Sequence, residues 1–282
     1  MRGHKRFLAA LALLGLLLAI SVSAQERKTP RTPGEWNLVG MGLALQDRWP
    51  EAVEAFRQAV RLRPDFVEAH NNLGFALATL GKSPEAIKAY QQAIKIKPDY
   101  ATAHYNLGFT YEAVGKLPEA VGAFKQATQL SPGWDVAAYQ LGYAYLQMGL
   151  WKEAAEALHQ YVSPEPPVAP EPGGKGGRPG AASDEAALQE GVLVMSLEPE
   201  KYGAFANLAY AYQKQGRYAD AIAAYQQSIK LKPDFSDVHY SLGETYVLSK
   251  NREGALQEYD ALKKLDEKLA RKLRALIDKA SE

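Results

Sequence analysis

Pro64, Pro98 and Pro132 stand thirty-four residues apart, and the residues between them return in the same order. A Leu-Gly pair (Leu73-Gly74, Leu107-Gly108) is followed by Leu77 or Tyr111, then by Ala86 or Ala120, a ring at Tyr90 or Phe124, and Ala93 or Ala127. A fixed period of this length marks a unit that cannot bury its apolar face alone and stacks on copies of itself. Apolar positions three and four apart share one helix face, so each period predicts two amphipathic helices. Gly74 and Gly108 let the two helices approach closely, with Ala86 and Ala120 as the small partners across the contact. The turn reads Gly81-Lys82-Ser83-Pro84-Glu85. Gly81 suits a left-handed helix end, Ser83 is the expected N-cap, and Pro84 and Glu85 suit a first turn. Pro98 closes the second helix, because its nitrogen has no proton to donate.

This pattern resembles the tetratricopeptide repeat family. Four gapless frames carry it: 33–66 with Trp36, Val39-Gly40, Leu43, Ala52, Phe56, Ala59 and Pro64, then 67–100, 101–134, and a fourth from Asp135 with Leu141-Gly142, Tyr145, Ala154 and Leu158. Two more start at Tyr202 (Phe205, Leu208, Tyr212, Ala221, Tyr225, Pro233, with Ala209 in the glycine place) and at Ser236 (His239, Leu242-Gly243, Tyr246, Ala255, Tyr259). The resemblance implies an all-α fold, a right-handed superhelical solenoid of helical hairpins. A solenoid needs a polar outer surface at its end. Leu262, Leu265, Leu269, Leu273, Leu276 and Ile277 continue the apolar stripe there, so residues 266–282 are expected to form a C-terminal capping helix.

The rest of the chain is organised around these frames. Residues 1–24 join a basic start (Arg2, Lys5, Arg6) to an apolar run, Phe7 to Ile20, too short for a comfortable membrane span, and end on Val22-Ser23-Ala24. This reads as a secretory signal peptide cleaved before Gln25; an uncleaved membrane anchor is the alternative. Residues 25–32 form a polar leader and 33–162 hold repeats one to four. Six prolines and five glycines crowd residues 163–182, which predicts a disordered or extended linker. Residues 183–201 are expected to hold a helix, Ala186 to Leu197, either as the remnant of a degenerate repeat or as a plain element after the linker. Residues 202–265 hold repeats five and six.

Little in the composition points to chemistry. A net charge of +1 argues against a nucleic-acid footprint. The chain has no cysteine, which excludes disulfides, thiolate metal sites and cysteine nucleophiles. Gly173-Gly174-Lys175-Gly176-Gly177 lacks the Ser or Thr that a phosphate loop needs after its lysine. His70, His104 and His239 share one repeat position and are expected to serve packing. No catalytic residue, cofactor or metal site is predicted, and the chain is not read as an enzyme.

The remaining constellation is the groove. In the family, the first helix of each repeat lines the concave surface. The resemblance places Met41, Phe75, Phe109, Tyr143 and Tyr210 there, beside Asn37, Asn71, Tyr105, Tyr139 and Tyr240, with Asn72, Asn106 and Asn207 one position further along. Rings give contact area at low entropic cost, and an amide side chain can bond a peptide backbone in either direction. The expectation is an exported scaffold that binds a peptide or partner helix in this groove, with self-association possible. Membrane contact is expected only through an uncleaved N-terminal segment. The alternatives are a structural spacer with an inert groove and an accessory part of a glycosyltransferase-type enzyme. The Lys, Asn and Arg set with which some family members clamp a terminal carboxylate is not matched, since Glu68, Asn71, Thr102 and Tyr105 stand there.

Overall fold

The computed structural model describes Pro30, residues 32–162, Leu193 and residues 200–280. Among these the only regular elements are thirteen helices. They are α1 (Pro33–Ala44), α2 (Trp49–Leu62), α3 (Val67–Thr79), α4 (Ser83–Ile96), α5 (Ala101–Ala113), α6 (Leu117–Leu130), α7 (Asp135–Gln147), α8 (Trp151–Val162), α9 (Lys201–Lys214), α10 (Tyr218–Leu231), α11 (Ser236–Leu248), α12 (Arg252–Leu265) and α13 (Glu267–Lys279). Consecutive pairs pack as hairpins from α1·α2 to α11·α12, and α13 packs on α11 and α12. The chain is a helical-hairpin solenoid, as the period requires. None of the described helices is long and apolar enough to cross a membrane.

Each of the first four hairpins closes on one contact between a glycine and a ring or leucine. A Cβ placed on Gly40 would lie 2.5 Å from the Phe56 ring, on Gly74 2.7 Å from Tyr90, on Gly108 2.6 Å from Phe124, and on Gly142 2.6 Å from Leu158. Phe56, Tyr90, Phe124 and Leu158 are fully buried against those bare backbones. The turns repeat as faithfully. Lys82 N–H donates to Leu77 O and Gly81 N–H to Ala78 O, each at 2.9 Å, around Gly81 at φ 73°. This six-to-one bond around a left-handed residue satisfies the last carbonyls of the helix. Gly115, Gly149 and Gly216 hold the same conformation, while Asp47 and Lys250 hold it with side chains at φ 56° and 60°. Ser83 is not the N-cap. It is already the first residue of α4, Lys82 occupies the cap without a side-chain bond, and the proline follows in the first turn. The tight turn leads straight into the helix and leaves no extended residue at Ser83.

The described residues fall into two compact units, and among the repeat helices the division comes after Ser131. The first holds α1 to α6 together with Leu193. The second holds α7, α8 and α9 to α13. In the second unit α9 packs directly on α8, as α3 packs on α2 in the first. Repeat five therefore stacks on repeat four with no helix of a degenerate repeat between them. The linker at 163–182 lies outside the described residues. So do 183–201, apart from Leu193, Glu200 and Lys201, and Leu193 is not helical.

The second unit ends as the stripe implied, with a break in it. Asp266 is extended (φ −155°) and its Oδ1 accepts from Lys268 N–H at 2.9 Å and Leu269 N–H at 3.0 Å, so it ends α12 and caps α13. α13 buries Ala270, Leu273 and Ile277. Leu273 sits over Gly243, the place that the repeat's own ring takes in the first three hairpins. Leu273→Ala removes that cover. The expected loss is about 2–5 kcal/mol of unfolding free energy, in the range for emptying a buried leucine site. Denaturant melts should show it, and hydrogen exchange should show α11 and α12 opening first; an unchanged exchange pattern would argue that α13 caps nothing.

Candidate peptide groove

Four buried asparagines lie on the first helices of repeats one to three, and the period brings them together. Asn37 and Asn71 hold one position of successive first helices, and Asn72 and Asn106 hold the next position. Asn72 Nδ2 donates to Asn37 Oδ1 at 2.9 Å, and Asn106 Nδ2 donates to Asn71 Oδ1 at 3.0 Å. Each repeat thus grips the one before it through the same pair of positions. The second unit uses the same relation once, with Asn207 Nδ2 donating to Tyr139 Oη at 3.1 Å.

The asparagines of the first unit hold more than each other. Leu193 N–H donates to Asn72 Oδ1 at 2.7 Å, and Leu193 O accepts from Asn71 Nδ2 at 2.9 Å and from Asn106 Nδ2 at 3.0 Å. Both hydrogen-bonding groups of one residue's main chain are satisfied by three side chains from α3 and α5. Those side chains are buried, and Leu193 itself is only 9% exposed. It belongs to the apolar cluster that includes Met41, Leu73 and Leu107, with Phe75 packed against that cluster. Each such bond contributes about 1 kcal/mol net and a buried leucine about 1.5–3 kcal/mol, so main chain and side chain both matter here.

The other predicted groove residues divide by environment. Met41 and Tyr105 are buried in the first unit. Phe75 is half-buried, its ring 5.8 Å from that of Trp49. Phe109 is half-buried and meets Tyr105 at 5.0 Å and Phe124 at 5.4 Å, both edge-on, so much of its surface serves packing. In the second unit Tyr143 is exposed and stacks on Tyr139 at 6.3 Å, while Tyr139 also meets Tyr161. Tyr210 is exposed, edge-on to Trp151 at 5.7 Å, and Tyr240 is half-buried. Sequence reasoning missed Leu193, which it had placed in a helix. No signal in the sequence marks it, because it is held through its main chain.

The histidines have a shared task. Nε2 of His70, His104 and His239 lies 2.9 Å from the carbonyl oxygen of Pro64, Pro98 and Pro233, tying each first helix to the loop before it. Among the described residues no three His, Asp or Glu side chains gather as a metal site. His239 carries a second bond, with Nδ1 2.6 Å from Glu258 Oε2 in a largely buried pair. Both ring nitrogens then donate, which is the protonated form, and the bond to Glu258 raises the His239 pKa above its ordinary 6.5. A raised folded pKa gives stability that is complete below 6.5 and is lost as the pH rises through the folded value. The His239 ring proton should therefore titrate above 6.5 by NMR, and Glu258→Gln should bring the midpoint down. A wild-type midpoint at or below 6.5 would contradict the pairing.

A stack of helical hairpins with a peptide main chain held inside it defines a repeat module. Sequence models described as TPR repeat match residues 43–81, 79–115 and 209–250, and one described as tetratricopeptide repeat matches 112–170. The chain belongs to the tetratricopeptide repeat family. No curated protein matches it across the sequence. Among solved structures it is similar to YrrB, described as a TPR protein with an unusual peptide-binding site, at 20% identity and TM-score 0.61 over 79% of this chain and 99% of that one. It is similar to the APC/C hetero-tetramer Cut9-Hcn1 at 19% identity and TM-score 0.54, over 97% of this chain and 46% of that one. MamA from Desulfovibrio magneticus RS-1 aligns at 18% identity and TM-score 0.53, over 72% and 96%. At these identities the likeness is one of fold.

Proposed function

We propose that this chain is an exported, non-enzymatic scaffold whose first unit binds an extended segment of a protein partner along α3 and α5. The observation that carries this reading is the capture of Leu193 through its main-chain N–H and C=O by Asn72, Asn71 and Asn106. Side-chain amides that satisfy both groups of a peptide unit recognise backbone rather than a particular sequence, and an adjoining apolar cluster adds preference for an aliphatic residue. The peptide-binding description of the YrrB structure is consistent with such a use of the fold. On the alternative reading of an inert spacer, the three amides serve only to hold the chain's own Leu193.

Asn106→Ala tests the reading. It removes one donor to the bound carbonyl and should weaken a partner recovered from the native envelope fraction by about 1–3 kcal/mol. Phe124→Ala empties the core site facing Gly108 and should instead cost about 3–5 kcal/mol of fold stability. Partner affinity and unfolding free energy measured for both variants separate the roles. Leu193→Glu, which takes the chain's own residue out of the site, is the common background for the affinity measurement; a partner held as tightly there with Asn106→Ala as without it would place binding elsewhere, and self-association alone would favour the spacer.

Export rests on residues 1–24, whose basic start, apolar run and Val22-Ser23-Ala24 have the form of a cleaved signal. The intact mass of the exported protein should correspond to a chain starting at Gln25; material that retains Met1 in the membrane fraction would mean an anchor.

A further inference from the structure

We propose that the groove of the first unit is occupied in cis, the chain's own Leu193 acting as a built-in competitor that an outside partner must displace. The inference rests on the peptide-groove reading above and adds a regulation and a ligand class to it. Leu193 is 121 residues from Asn72 and 87 from Asn106 in sequence, yet its N–H and C=O make three bonds of 2.7–3.0 Å to this groove. It is covalently tethered between α8 and α9 of the same chain. A tethered ligand acts at an effective concentration that reaches the order of millimolar for a suitable tether, so a free peptide with the same contacts competes poorly. The apparent affinity for an outside ligand falls by the fraction of chains whose groove is open. The occupant also specifies its rival. A displacing partner presents an extended main chain whose N–H meets Asn72 and whose C=O meets Asn71 and Asn106, with an aliphatic side chain in the place of Leu193 among Met41, Leu73 and Phe75. A helix cannot do this, because its interior main-chain groups are already bonded to one another.

The test uses the full chain and a fluorescent peptide copied from residues 188–198. Two variants open the groove by independent means. Leu193→Glu places a charge in the apolar cluster, and Leu193→Pro removes the N–H that Asn72 accepts; neither lies in a repeat helix. Both should retain the helical circular dichroism of wild type. The peptide should bind each at least about tenfold more tightly than it binds wild type, as expected when at most a tenth of wild-type grooves are open. Asn106→Ala added to either variant should abolish most of that gain, and a peptide carrying Glu at the Leu193 place should not bind. If the peptide binds wild type as tightly as the opened variants and still depends on Asn106, the groove takes peptides but is not occluded; the inference fails and the function stands. If it binds none of them, both fail. A wild-type dimer by sedimentation that becomes monomeric in both Leu193 variants would show the segment seated in a second copy and would overturn occupation in cis.

Discussion

Everything in the molecule depends on how closely the two helices of a hairpin approach, and that is set by a bare glycine under a ring. Gly40, Gly74 and Gly108 leave no room for a methyl group against Phe56, Tyr90 and Phe124. The ring fills the space that a side chain would otherwise hold, at the density of a protein interior. Because the contact recurs every thirty-four residues, it fixes both the spacing of helices within a hairpin and the face each first helix turns inward. The contact varies in the last repeat, where Leu273 of α13 covers Gly243 from outside the hairpin. A stack whose members each lean on the next needs a foreign side chain to finish it.

From that spacing follows the ladder of buried amides in the first unit. Positions 37 and 72, and 71 and 106, differ by thirty-five, one more than the period, so the amide at one position of a first helix reaches the preceding helix at the position before. Asn207 and Tyr139 obey the same rule although sixty-eight residues separate them. The inserted stretch between them is skipped, and the stack keeps its register across it. Buried amides are tolerated only where their donors and acceptors are met. Here they meet each other along the stack, and the capacity left over falls on the main chain of Leu193.

The fold was legible because it rests on repetition. Six frames of Leu-Gly, ring and alanine fix the hairpins, the turns at Gly81, Gly115, Gly149 and Gly216, and the capping stripe. Local chemistry was less legible. Ser83 has the composition of a cap, but the turn geometry assigns that place to Lys82. At the site, the asparagines could be named from position, and their occupant could not. Recognition through a main chain leaves no signature in the recognised residue. Leu193 looked like one apolar position among several in a helical window, because nothing about a leucine says that its N–H will be held by a side chain 121 residues away. The division after Ser131 was equally silent, since repeats three and four match the pattern without a gap.

The repeats differ in chemistry at matched positions of their first helices. Where repeats one and two have Asn37 and Asn71, repeats three and four have Tyr105 and Tyr139, and where repeats two and three have Asn72 and Asn106, the fourth has Gln140. A phenol has one oxygen that both donates and accepts, and that of Tyr139 accepts from Asn207. An amide presents a donor and an acceptor side by side, which is what a peptide group requires. Two adjacent asparagines on α3 meet the N–H and the C=O of one residue, and a third on α5 doubles the hold on its oxygen. The second unit offers Tyr143 and Tyr210 to solvent instead, flat apolar surfaces suited to side chains rather than to main chain. At this recurring position the chain thus carries amides in its first two repeats and phenols in its third and fourth.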